Sequence, residues 1–282
     1  MLAILGGLGA AVAWATTTLC SARSSRLIGP PAVLSWVMAV GLVVTAPAAI
    51  ARGIPAQLHV GGTVGWLVLA GVGNVAGLLL TYAGLRIGKV GIVAPIASTE
   101  GAIAAVLSVA AGEHLAASVA ALLGVVAAGI VLTAVTRMGP EVERESRRPA
   151  LLALAAALAF GSSLYATGRA GAELPVFWAV LPPRVVGVVA VTLPLAAASR
   201  LRLTRRALPL VLIGGLAEVA GFVSFTLGSR HGLAVSAVLA SQFAAIAVIV
   251  AFLLFRERLL RVQVAGVALI VAGVAALTAL QS

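Results

Sequence analysis

Aspartate is absent from this chain, lysine occurs once (Lys89) and cysteine once (Cys20), and charged residues make up only 10% of 282 positions. A single cysteine excludes an intramolecular disulfide and any cysteine-rich metal site, which leaves Cys20 as a packing residue. Without Asp, and with three scattered histidines (His59, His114, His231), there is little from which to build acid–base or metal-assisted catalysis. No phosphate-binding loop pattern occurs, so ATP-driven work would need a partner chain. The expectation is therefore no enzyme, no metal and no cofactor. The shortage of polar residues excludes a soluble domain of this size, because such a surface cannot be covered without them.

What is present is apolar: 62% of residues are hydrophobic and the mean hydropathy is +1.17. Lipid is the solvent such side chains require, and about 20 apolar residues cross it once as a helix. The net charge of +11 comes from arginines set between apolar runs. That placement fits membrane topology better than nucleic-acid binding. The opening MLAILGGLGAAVAWA lacks a basic leader region and has an internal copy, so it reads as an uncleaved first helix.

Apolar runs fall at 2–20, 33–51, 64–85, 90–111 and 115–136, then at 150–170, 175–198, 207–228, 232–255 and 262–280. Runs of this length predict ten transmembrane helices rather than barrel strands. The one aqueous stretch, Arg137 to Pro149, carries Glu141, Glu143, Glu145, Arg144, Arg147 and Arg148. It divides the chain into residues 1–136, a linker 137–149, and residues 150–282.

The two parts share landmarks at a shift of 144 residues, as from Asn74-Val-Ala-Gly77 to Glu218-Val-Ala-Gly221. Gly84, Arg86 and Gly88 match Gly228, Arg230 and Gly232. Glu113 and Leu115 match Glu257 and Leu259, and Ala128-Gly129 matches Ala272-Gly273. Five helices per repeat is an odd number, so consecutive copies point in opposite directions. The arginines agree: Arg23 and Arg26 follow the first span and Arg86 and Lys89 the third, but only Arg169 and Arg230 follow the sixth and eighth. Conversely, Arg52 alone follows the second span, whereas Arg200, Arg202, Arg205 and Arg206 follow the seventh. The turn before the fifth span has no arginine, while Arg256, Arg258 and Arg261 precede the tenth. The positive-inside rule then predicts an all-α membrane protein of two inverted five-helix repeats, both termini outside. Inverted repeats are typical of secondary transporters, whose substrate site lies near the midplane between them.

The small-aromatic pairs Ala13-Trp14 and Ala159-Phe160 and the run Pro182-Pro183-Arg184 add further landmarks, as do Tyr82-Ala-Gly-Leu-Arg86, Ala94-Pro95-Ile96, Gly112-Glu113 and Arg256-Glu257-Arg258. In this order they resemble the drug/metabolite transporter superfamily, specifically its EamA-like ten-helix members, over nearly the whole chain. The resemblance implies a basket of ten helices that opens to either side and moves small metabolites or drugs, commonly for export. The chain departs from the family pattern in having Val37 where the second half has Arg184, and in a charge bias that places the termini outside.

A charge within the membrane costs roughly 2.5–3.5 kcal/mol on insertion scales. By position Glu100, Arg184 and Glu218 fall within spans. A substrate or proton site is one reading of the two carboxyls; a stabilising ion pair or buried neutral acids is the other. Arg184 is a candidate for the same substrate or proton site, with snorkelling near a helix end or a structural family role as the equal alternative. Asn74 is repeat-equivalent to Glu218 and Ser98 to Gln242, so all four are expected to face a shared cavity; interhelical hydrogen bonding is the alternative. Trp14, Tyr82, Tyr165 and Phe160 are expected as aromatic walls, and Trp36 and Trp178 as interfacial anchors. Thr16, Thr17, Thr18, Ser162 and Ser163 satisfy helix carbonyls as readily as they contact substrate. Glu113 and Glu257 are expected to open their own helices as structural residues. Gly73-xxx-Gly77 and Ala217-xxx-Gly221 fit close helix packing, and Pro95 is expected to hinge the fourth helix.

The sequence reading is thus a multi-pass protein of a cell membrane, bacterial inner membrane by class, that exports a small polar metabolite or drug by alternating access with possible proton coupling. Its partners are the small-molecule substrate and membrane lipid, with no nucleic acid, as a monomer or homodimer. A lipid-carrier flippase on the same fold, and less so a membrane enzyme, are the alternatives.

Overall fold

The computed structural model describes residues 1–59, 61–87, 93, 96–134, 147–243, 245–246, 250 and 261–281. Lys89, Ala94-Pro95, residues 137–146 of the expected linker and Arg256 to Leu259 lie outside the described residues. The described residues form helices and no strand. We number them α1 (Leu2–Ile28), α2 (Pro30–Ile50), α3 (Gly61–Ile87), α4 (Glu100–Ala110), α5 (Ala117–Ala134), α6 (Arg147–Glu173), α7 (Val176–Ala197), α8 (Leu208–Ser229), α9 (Leu233–Ala240) and α10 (Arg261–Gln281).

Among the described residues six helices are long and apolar enough to cross a membrane: α1, α2, Gly62–Gly84 within α3, α6, α7 and α8. Glu100–Ala110, Ala117–Leu132 and Val264–Leu277 are shorter apolar helices. Side chains such as Val43, Ile50, Val106 and Val271 are exposed on their outer faces, where a soluble protein would carry charge. The chain is a multi-pass membrane protein.

Prolines sit where a helix lacks partners for its first N–H groups anyway, at Pro30 of α2 and Pro209 of α8. In α7 the regular helix gives way to a π-turn over Val188–Thr192, just ahead of Pro194. The wider turn makes room for a ring that would otherwise strike the carbonyl one turn back. The helix α1 runs eight residues past its expected end at 20, with Ser24 bonded back to the Cys20 carbonyl at 2.8 Å. The expected spans 90–111 and 232–255 are interrupted, at Ser98–Thr99 and at Ser241–Gln242.

Packing couples the two halves through reciprocal pairs. The helix α1 lies against α8, and α3 lies against α6; α4 lies against α6, and α1 against α9; α5 and α10 pack on each other. Small residues make these approaches possible. A methyl group on Gly77 would come within 2.6 Å of the Phe160 ring, and one on Gly221 within 2.5 Å of the Trp14 indole nitrogen. On the α5–α10 seam, a methyl on Gly129 would come within 2.8 Å of the Gly266 carbonyl, and one on Gly273 within 2.7 Å of Val126. Two hydrogen bonds repeat the pattern: Thr17 donates to the Gly214 carbonyl at 3.0 Å, and Ser163 to the Ala70 carbonyl at 2.6 Å.

Candidate functional site

The interior between the halves is built around Arg184. Its side chain is fully buried, which corrects the snorkelling alternative. With the helix starting at Val176, eight residues of rise put it about 12 Å in, near the middle of a bilayer core of about 30 Å. There Nη1 donates to the Val180 carbonyl at 3.3 Å and Nη2 to the Glu218 main-chain carbonyl at 3.2 Å. The guanidinium carbon lies 4.4 Å from the Phe222 ring centroid. A buried cation over an aromatic face is worth about 2 kcal/mol or more when desolvated. The backbone gives way to it at Gly41, where a methyl would meet the Arg184 stem at 2.9 Å.

Phe222 carries the contact onward to Trp14, edge to face at 5.0 Å, and Trp14 in turn meets Phe225 at 6.2 Å and Phe243 at 6.5 Å. Glu218 is partly buried on α8 one turn before Phe222. Arg184, Glu100 and Tyr82 lie within electrostatic reach of it, so these four groups, drawn from α3, α4, α7 and α8, form one cluster. Glu100 is buried in the first turn of α4. Tyr82 packs with Leu34, Met38, Val75 and Val191. Tyr165 is buried against Trp66, edge to face at 5.6 Å, and Arg169 lies 6.0 Å from the same indole.

Several buried polar atoms have no hydrogen-bond partner among the described residues. They are Trp14 Nε1, Asn74 Oδ1, Arg184 Nε and Gln242 Nε2, together with Ser35 Oγ and Thr167 Oγ1. An unpaired buried donor or acceptor is costly, by about 1–3 kcal/mol each, and calls for a ligand, water or ion to explain it. Three of the first four are donors and one an acceptor, taking the amide orientations as assigned.

Ser98 and Gln242 stand at the two helix interruptions, one in each half. Thr99 and Ser241 beside them have ψ of 0° and −2°, and their hydroxyls bond back to Ile96 at 2.7 Å and Val238 at 2.9 Å. The interrupted segments meet closely: a methyl on Gly101 would strike the Ala237 carbonyl and the Ser241 hydroxyl. A cavity of about 170 Å3 opens here, lined by Ser98, Thr99, Ser241 and apolar residues of α4 and α5, Val131 among them. A larger basin of about 610 Å3 lies at one membrane face, lined by Arg52, Gln57, Glu173 and Arg230. Arg230 is held there by the Gly171 and Leu174 carbonyls, and Glu173 by the Thr63 hydroxyl.

The structure thus brings Arg184, Glu218, Glu100 and Tyr82 together, with Trp14 joined through Phe222. Tyr165 belongs with Trp66, while Ser98 and Gln242 mark the interruptions. Phe222, Phe243, Trp66, Thr99 and Ser241 were not singled out from sequence. Phe222 had a signal, since it stands four residues after an intramembrane glutamate and so shares its helix face. Trp66 had none. Glu113 also departs from expectation: it accepts from the Ala234 N–H of α9, in the opposite half, rather than opening its own helix. Among the described residues no group of His, Cys, Asp and Glu is placed to hold a metal ion.

Comparison with known proteins places the chain beside transporters. The model of the EamA-like transporter family matches residues 1–135 and 147–279. Among solved structures, a crystal structure of a protein superposes over 99% of this chain and 96% of that one, at 19% identity and a TM-score of 0.80. At that identity the likeness is one of fold. No curated protein matches the chain.

Proposed function

The chain belongs to the EamA-like transporter family, and on that premise we propose that it is a secondary transporter for a small polar or zwitterionic metabolite, exporting it from the cell by alternating access. The observation that carries the substrate class is the set of buried, unpartnered polar atoms on Trp14, Asn74, Arg184 and Gln242. They come from both halves, and a polar ligand supplies the partners they lack. Around Arg184, Phe222 and the Trp14 ring supply an apolar wall, as small-molecule sites require. A cell membrane, bacterial inner by class, is the compartment in this reading, and transport rather than catalysis is its work.

Rocking of two inverted halves is part of the proposal. It is supported by two indole hydrogen bonds at opposite ends of neighbouring helices. Trp36, early in α2, donates to the Arg202 carbonyl just past α7, at 3.0 Å. Trp178, early in α7, donates to the Ala49 and Gly53 carbonyls at the end of α2, both at 3.0 Å. Each helix starts beside the other's end, as counterparts in inverted repeats do. Proton coupling through Glu218 and Glu100 completes the scheme: Glu100 lies within electrostatic reach of Glu218, and Glu218 of Arg184, so protonating Glu218 changes what the site offers a substrate.

The test is thermal stabilisation of the detergent-purified protein by a metabolite and drug panel at two pH values, since a ligand of the folded state raises its melting temperature. A few chemically related compounds are expected to shift melting of the parent and not of Glu218→Gln. A flippase for lipid carriers is the second reading, favoured by the position of the 170 Å3 cavity beside Val131, which is exposed on the lipid side. Shifts by lipid-linked compounds alone would put that reading first.

A further inference from the structure

The helix α9 is buried along its whole length, from Leu233 to Ala240. Its first N–H groups therefore have no water to bond to and need partners from the protein. Gly232, which precedes it at φ 148°, has no side chain to cap them. The cap comes from the other half of the molecule. Glu113, in the turn between α4 and α5, accepts the Ala234 N–H with both carboxylate oxygens, at 3.3 and 3.2 Å.

Glu113 is aimed at this task from its own side. Its main-chain N–H donates to the Ser108 carbonyl at 3.0 Å, and the Ser108 hydroxyl donates to its carboxylate. Gly112, at φ 101°, turns the chain sharply enough to bring the carboxylate back over the helix end. A negative charge at a helix N-terminus is favourable there for the further reason that the helix dipole is positive at that end.

The same spot joins a third element. Ser236 on α9 donates to the Ala3 carbonyl at 2.9 Å, and Gly232 lies beside Ala3. The start of α1, the start of α9 and the α4–α5 turn therefore meet at the membrane face where the chain begins. About 12 Å further along α9, by its helical rise, stand Ser241 and Gln242 of the candidate site. Whatever holds the first turn of α9 also sets where those side chains lie.

We propose that Glu113 is a positioning residue for transport, an inter-half clamp that caps helix α9 and keeps that membrane face closed while it is made. Releasing the carboxylate from Ala234 frees the first turn of α9 from the α4–α5 turn and lets the halves part on that face. The inference rests on the transporter reading for its functional meaning, but the clamp itself is tested without any substrate.

The experiment uses the full chain in proteoliposomes, with Cys20→Ser to remove the native thiol and Ser236→Cys as a near-isosteric reporter on α9. A membrane-impermeant maleimide is added from the face where the chain begins. The reporter is expected to label slowly in this background, about tenfold faster with Glu113→Leu, and within about twofold of the background with Glu113→Gln, whose amide oxygen still accepts. Should Glu113→Leu not fold, Ser108→Ala, which removes one of the bonds aiming the carboxylate, is expected to raise labelling to an intermediate rate. Unchanged labelling in the folded Glu113→Leu protein, or in Ser108→Ala where it stands in, overturns the clamp. If labelling responds as expected while no compound is ever transported, the clamp stands and the transporter reading fails.

Discussion

Arg184 donates to the main-chain carbonyl of Glu218 at 3.2 Å, so the one fully buried cation among the described residues is tied to the backbone of the helix that carries the intramembrane carboxylate. The tie joins α7 to α8, and the Phe222 ring beneath the guanidinium carries it on to Trp14 of α1. Charge and aromatic faces from α1, α7 and α8 are thereby held in one frame, in which Arg184 Nε and Trp14 Nε1 have no hydrogen-bond partner among the described residues.

Arg184→Lys tests how much of that frame depends on the guanidinium. Lysine keeps the charge but loses the planar fork and the stacking face. We expect a loss of about 1–3 kcal/mol in stability, read as a lower melting temperature of the purified protein. An unchanged melting temperature would mean that the Phe222 contact contributes nothing.

Gly221→Ala and Gly77→Ala test the close approaches between halves. Each adds a methyl group against an aromatic ring, Trp14 in one case and Phe160 in the other. Overpacking of this kind costs roughly 1–3 kcal/mol. Replacing Trp14 by Leu in the Gly221→Ala background is expected to recover part of the loss. Equal losses with and without that second change would show that the clash lies elsewhere.

The helical, membrane-spanning character was legible from local composition, and the order of Gly, Arg and Glu supplied the landmarks. The family resemblance followed from the same landmarks. The burial of Arg184 was only half legible: its place within a span pointed inward, while the Pro182-Pro183 pair pointed toward a helix end. The interruptions at Ser98–Thr99 and Ser241–Gln242 were not legible, since alanine-rich runs continue on both sides and only a one-turn change of backbone bonding marks them. The reach of Glu113 to Ala234 was hidden for a different reason. It spans 121 residues, and nothing near Glu113 in sequence announces a distant uncapped helix.

Thr17→Val and Ser163→Ala remove matching interhelical hydrogen bonds on opposite sides of the molecule. Each is expected to cost about 0.6 kcal/mol, the average for such bonds in membrane proteins. The sites are far apart in the repeat, so the double variant is expected to show the sum within about 0.5 kcal/mol. Reversible unfolding in mixed detergent micelles measures all three proteins.

Glu218→Gln and Glu100→Gln together test proton coupling. Glu100 lies within electrostatic reach of Glu218, and amides at both positions no longer titrate. Transport by the double variant in proteoliposomes is expected to lose its dependence on an imposed pH gradient. Retention of that dependence would remove the carboxyls from the coupling scheme.

The measurement to make first on any compound that stabilises the protein is its affinity for two variants at repeat-related positions, Asn74→Leu and Glu218→Gln, by isothermal titration. A ligand held between the halves loses a partner in each, and we expect at least about a tenfold loss of affinity in both, equivalent to about 1.4 kcal/mol. Unchanged affinity in both folded variants would contradict a substrate site shared by the two halves.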